Sequence, residues 1–184
     1  MGTRGIVGFR VNEKDYLSYN HFDSYPDFLG EGVKAAIQWL LVNHPLDYSV
    51  VRERIANLKG VERDSHYDEI RRVSREPILW MNGEETRMIF ENEFVRDSCF
   101  CEYGYIINFD TEQVEFYRGF QEKPHTKGRY SDLEILDFYK EQLKDPNSKI
   151  DPYYPIALHE SYSFLEWANL SMEELEKSLR EEMV

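Results

Sequence analysis

Two periods of apolar residues divide this chain. Along residues 3–11 the period is two: Val7, Phe9 and Val11 fall on one side, which predicts a β-strand. Asn12-Glu13-Lys14-Asp15 reads as a turn and residues 16–22 as the returning strand. Pro26, with no N–H to offer a ladder, ends the extended run. Between Gly30 and Asn43 the period lengthens. Val33, Ala36, Ile37, Leu40 and Leu41 lie at helical spacing, and Asn43-His44-Pro45 stops the helix. A second helix is expected from Ser49 to Lys59, with Val51, Ile55 and Leu58 inward and Gly60 at its end.

Residues 61–76 are heavily charged. Ile70 and Val73 are their main apolar positions, as expected of an exposed helix or an excursion from the body. Ile78 to Met81 with Asn82-Gly83 predicts a short strand and turn. Tyr103–Phe109 and Val114–Phe120 predict a second hairpin, Asp132–Leu143 a helix, and Ile156–Phe164 a last strand. Ser171-Met172-Glu173-Glu174 has the spacing of a capping box opening an acidic C-terminal helix. No repeat or linker interrupts the series. The expected fold is a single α+β domain over residues 1–184, its mostly antiparallel sheet built from hairpins 3–22 and 103–120 with helices packed on it.

Charge narrows the partners. The net charge is −13, so nucleic acid and anionic membranes are repelled by most of the surface. A basic host protein, or a small anionic ligand in a locally positive pocket, stays compatible. No apolar run reaches membrane-spanning length, and Arg4 and Arg10 bracket only five residues, too few for a signal-peptide core. The expectation is a cytoplasmic protein with reduced Cys99 and Cys101. That pair and five scattered histidines predict no metal site, and without a P-loop or dinucleotide fingerprint no cofactor is expected. The pattern sets no oligomeric state.

Candidate chemistry concentrates in His21-Phe22-Asp23-Ser24-Tyr25-Pro26, preceded by Thr3-Arg4-Gly5. With Asn12 to Asp15 as the loop, Val11 pairs with Tyr16, Arg4 falls opposite Asp23 and Ile6 opposite His21. Arg4, His21 and Asp23 then share one face, joined by Tyr25 if the strand persists, while Val7, Phe9, Val11 and Phe22 take the core face. Gly5 and Gly8 leave room for a backbone or ligand. In such a group Arg4 would bind an anion bidentately. His21 would act as acid or base near neutrality, with Asp23 orienting it and Tyr25 donating to an oxyanion. The plain alternative is a cross-strand Arg4–Asp23 ion pair.

Thr3-Arg4, the His21–Pro26 run and Leu29-Gly30 resemble a set of uncharacterised bacterial and phage proteins. Those open with an Asn/Thr-Arg strand and carry His-Trp-Asp-Gly-Tyr-Pro before a glycine and a helix. The hairpin from Tyr105 to Gly119 is loosely similar to a later segment in some of them. Phe22 replaces the usual Trp and Ser24 the usual Gly. The resemblance implies that Arg4, His21, Asp23 and Tyr25 form one unit and implies no particular reaction.

Other candidates are weaker. Ser24 lacks the surroundings of a nucleophile elbow, and removal of Met would expose Gly2, not Thr3, as an N-terminal nucleophile. Glu102, Asp110 and Glu115 read as solvated charges flanking the second hairpin, and His125, Lys127 and Arg129 as an exposed basic loop. Trp39, Trp80 and Trp167 read as core or rim aromatics. Two functions follow. One is a binding or hydrolytic site on the first hairpin for a small anionic or nucleotide-like molecule. The alternative is a non-enzymatic acidic interaction protein of phage or mobile-element origin that binds a host protein.

Overall fold

The computed structural model describes residues 2–63 and 67–183. Strands β1 (Gly5–Val11) and β2 (Lys14–Asn20) form the first hairpin, and β3 (Lys59–Gly60) and β4 (Arg87–Met88) pair as a two-residue parallel ladder. Strands β5 (Tyr103–Asn108) and β6 (Gln113–Arg118) form the second hairpin, and β7 (Ala157–Ser163) follows β6. The main sheet has the order β2-β1-β5-β6-β7. Its one parallel contact, β1 with β5, joins the two hairpins. The helices are α1 (Glu31–Asn43), α2 (Ser49–Ala56), α3 (Tyr67–Arg72), α4 (Ile78–Met81), α5 (Asp137–Lys144), α6 (Phe164–Asn169) and α7 (Met172–Glu182). This is a single α+β domain with a mixed, mostly antiparallel sheet. Among the described residues no helix is long and apolar enough to cross a membrane.

Both faces of the sheet are covered. Val7, Phe9 and Val11 of β1, Tyr105 and Ile107 of β5, and Val114 and Phe116 of β6 face the larger core, which α1, α4 and α6 complete with Ile37, Leu40, Trp80 and Trp167. Phe9 meets Trp80 edge-on at 6.0 Å, a geometry that adds about 0.5–1.5 kcal/mol beyond area burial. On the opposite face Ile6, Leu17, Ile106 and Tyr117 pack against Val95, Cys101, Tyr130 and Ile156 from the connecting segments. Alternation along β1 therefore reports two cores rather than a core and a solvent face.

The first hairpin closes more tightly than its sequence suggests. Val11 pairs with Lys14, not Tyr16, around a two-residue turn in which Asn12 (φ 52°) and Glu13 (φ 62°) are both left-handed. Glutamate pays about 1–2 kcal/mol for that conformation. The offset comes from the other hairpin: Asp110 accepts the N–H groups of Asn12 and Glu13 at 2.8 and 2.7 Å, and Arg52 braces Asp110 at 3.3 Å. Despite partial burial, these donors and Arg52 hold the Asp110 carboxyl below its ordinary range. The register shifts by two residues, so the faces keep their assignment while the opposed pairs change.

Ile78 to Met81 is the helix α4, not a strand. Pro77 caps it, Trp80 and Met81 are buried, and the Trp80 indole donates to the Arg87 carbonyl at 2.8 Å. A four-residue apolar run fits either period, and the proline fixed at the helix start decides it. The helix expected from Asp132 begins at Asp137, after a 3₁₀ turn over Arg129–Asp132. Ser171 caps α7 by accepting from the Glu174 N–H at 3.2 Å, but the reciprocal capping box forms at Ser163 and Glu166, opening α6. Part of the charged segment 61–76 is α3, with Ile70 and Val73 buried; residues 64–66 of that expectation lie outside the described residues.

Glu115 and Arg129, expected in solvent, lie in a part-buried polar cluster on the second face. Arg129 reaches Glu115 with one nitrogen and Asp15 at 3.1 Å with another. Tyr130 donates to Asp15 at 2.7 Å, Tyr117 to Glu115 at 2.8 Å, and Asn108 to Glu115 at 2.6 Å. Arg10 adds a 3.0 Å ion pair to Asp15. Burial opposes the Arg129 charge, but the phenols and carboxylates around it outweigh burial and raise its pKa. The expected basic loop is likewise structural: a ring nitrogen of His125 bonds the Pro155 carbonyl at 2.8 Å.

Candidate functional site

The first hairpin ends beside a cleft of about 480 Å³ lined by Arg4, Tyr19, His21, Arg63, Arg71, Glu91, Phe94 and Phe100. Arg4 precedes β1, and its guanidinium lies over the Phe100 ring at 4.8 Å. Tyr19 and His21 follow on the same side at the end of β2, as period two requires. Arg71 comes from α3 and lies over the Tyr19 ring at 5.4 Å. Arg63 pairs with Glu91 at 2.8 Å on the far wall. Among the described residues of its lining, three guanidiniums accompany one carboxylate, in a chain whose net charge is −13.

The aromatic walls hold these cations in place. Phe94 meets Tyr19 edge-on at 4.9 Å, and Phe22 meets the His21 ring edge-on at 4.1 Å. The Tyr19 hydroxyl and His21 Nδ1 are 2.6 Å apart. A phenol is a better donor than a neutral imidazole, so donation from Tyr19 places the His21 proton on Nε2. Burial, then Arg71, then Arg4 lower the His21 pKa below its usual value. Its neutral form therefore prevails at pH 7.

The structure brings together Arg4 and His21 and separates the other two members of the expected unit. The strand stops at Asn20, and Asp23 turns the chain with φ 54°. Asp23 is exposed and lines a different cavity, with Phe22, Phe28, Leu29 and Arg75. Tyr25 lies toward the larger core, its ring 6.0 Å from Tyr103, and its carbonyl accepts from Phe28 and Gly30. The ion pair weighed between Arg4 and Asp23 is not formed. Phe22, expected in the core, is 45% exposed for the same reason: the turn carries it out of the sheet.

Ser24 supplies the structural part of the motif. It is fully buried, its hydroxyl accepts from Asn20 at 2.8 Å, its N–H donates to the Thr3 carbonyl, and its carbonyl accepts from Tyr105 at 2.8 Å. The room at Gly5 is filled by Ser24 and the Tyr103 carbonyl: a Cβ there would sit 2.8 and 2.7 Å from them. Asn20 also accepts from Ser74 at 3.1 Å, which ties the end of β2 to the turn after α3. That tie sets Arg71 beside Tyr19 and His21.

The arginines of the 61–76 segment were the missed signal. Arg63, Arg71, Arg72 and Arg75 put four guanidiniums into sixteen residues of an acidic chain, without a periodicity that says where they point. A larger neighbouring cavity of about 550 Å³ lies beyond Arg63 and Glu91 but is lined by Glu62, Glu91, Glu93 and Asp97, a set hostile to anions. Cys99 and Cys101 are free thiols preceding β5, and burial pushes the Cys101 pKa up. Among the described residues no group of three or more His, Cys, Asp or Glu is placed to hold a metal. Comparison with protein-family models, with curated proteins and with solved structures returned no match.

Proposed function

We propose that the Arg4–His21–Arg71 cleft binds a small, multiply charged anion of the phosphate type. The observation that carries this reading is the gathering of Arg4, Arg63 and Arg71 around His21 in one concave site on an acidic protein. Arg63 already pairs with Glu91, but guanidiniums still outnumber carboxylates among the described lining residues, a balance that favours an anionic ligand. Guanidiniums held over the Phe100 and Tyr19 rings can offer paired hydrogen bonds to phosphate oxygens. His21 Nε2–H is a fourth donor. The reading is of a binding site; Asp23 and Tyr25, which lie outside the cleft, take no part in anion contact.

Calorimetric titration with inorganic tripolyphosphate at low salt tests it. Binding is expected for the native chain, weakening as salt screens the charges. Arg4→Ala is expected to weaken it about tenfold, the loss of one charge-assisted contact at a partly exposed site. Absence of binding by the native chain, or equal affinity of the Arg4 variant, overturns the proposal.

A further inference from the structure

Three cavities run in series along the His21–Phe22 turn. The cleft described above shares His21 and Arg71 with a second cavity of about 210 Å³, lined also by Asn20, Phe22, Asp68, Arg72 and Arg75. The second shares Phe22 and Arg75 with a notch of about 140 Å³ whose other walls are Asp23, Phe28 and Leu29. The cationic stretch thus adjoins a small aromatic recess through shared side chains. Among the described residues Arg4, Arg72 and Arg75 form no ion pair.

We infer that the ligand is a nucleoside polyphosphate, with its phosphates in the arginine-lined stretch and its base in the Phe22–Phe28 notch. This rests on the anion-binding reading and adds the ligand's other end. The two ends of the groove differ in kind. Among the described lining residues of the first two cavities, five arginines outnumber the carboxylates Glu91 and Asp68, whereas at the notch Asp23 stands against Arg75 alone, and that difference sets the orientation. Phe22 and Phe28 are 45% and 61% exposed, an open pair of rings beside the Arg75 guanidinium. Aromatic faces and a guanidinium plane are the surfaces on which a base stacks. The notch has room for one ring system. The acidic surface beyond the groove disfavours a longer nucleic acid, whose further phosphates would meet carboxylates.

The test compares ATP with tripolyphosphate on the full chain, natively and as Phe28→Ala. Phe28 is exposed enough to truncate without loss of the fold. ATP is expected to bind about tenfold more tightly than tripolyphosphate, and Phe28→Ala to remove that advantage while leaving tripolyphosphate unchanged. Tripolyphosphate binding with no ATP advantage, or with an advantage that survives Phe28→Ala, overturns the base notch and leaves the anion cleft standing. Binding of neither overturns both. A single-stranded oligonucleotide that binds more tightly than ATP overturns the mononucleotide assignment.

Discussion

Arg129→Ala is expected to lower the unfolding free energy by about 3 kcal/mol in urea denaturation, the order seen when one partner leaves a buried ionic cluster. The Arg129 side chain is 25% exposed, against 14% for Asp15 and 9% for Glu115. Its removal leaves both carboxylates without the guanidinium they share and with reduced access to water. Arg10 still faces Asp15, and Asn108 and Tyr117 still donate to Glu115, so the loss stays short of collapse. Lysine is a poor substitute, because one ammonium cannot serve both carboxylates through a rigid fork. Lys127→Ala, on an exposed neighbour in the same loop, is expected to cost less than about 0.5 kcal/mol. Equal effects of the two substitutions would show that solvent screens the cluster and that it contributes little.

The second large effect is expected at Arg71. Arg71→Gln is predicted to weaken tripolyphosphate binding by about 10- to 100-fold, from the roughly 1.5–3 kcal/mol of a hydrogen bond to a charged group. Arg71 lines both the cleft and the adjoining cavity, whereas Arg4 lines only the cleft, so its loss is expected to exceed that of Arg4. The hydrogen bonds of Ser74 to Asn20 and to the Arg71 carbonyl do not use the Arg71 side chain and should keep α3 in place. Titration calorimetry gives the affinity, and denaturation of the same variant separates loss of a contact from loss of the fold. An Arg71 variant that folds natively and binds unchanged would remove the cleft's main anchor.

The sequence made the sheet legible where one strand's side chains decide its placement. Val7, Phe9 and Val11 name the larger core, and the helical spacing of Val33 to Leu41 names α1. Distant partners defeat that reasoning. The tight Asn12-Glu13 turn exists because Asp110, almost a hundred residues away, accepts its N–H groups. Glu115 and Arg129 look like surface charges until the fold buries them against each other. The candidate unit divides for the same reason. Arg4 and His21 stay together because a register shift of two preserves faces, whereas Asp23 and Tyr25 lie past the point where the strand turns away. The other cations of the cleft come from a segment whose position depends on the buried Asn20–Ser74 contact, which no local pattern announces.

His21 is the internal reporter of the cleft. Its pKa is lowered in the folded chain, so folding disfavours its protonation, and this contribution costs stability as pH falls below the unfolded value near 6.5. An anion seated between Arg4 and Arg71 offsets their charges and favours the imidazolium, so binding must raise that pKa and affinity must increase as pH falls through it. The most direct measurement is the NMR titration of the His21 ring with and without saturating tripolyphosphate. The free chain should titrate below 6.5, the complex at higher pH, and the shift should be much reduced in Arg71→Gln. A His21 titration curve that tripolyphosphate leaves unmoved would contradict the placement of an anion in this cleft.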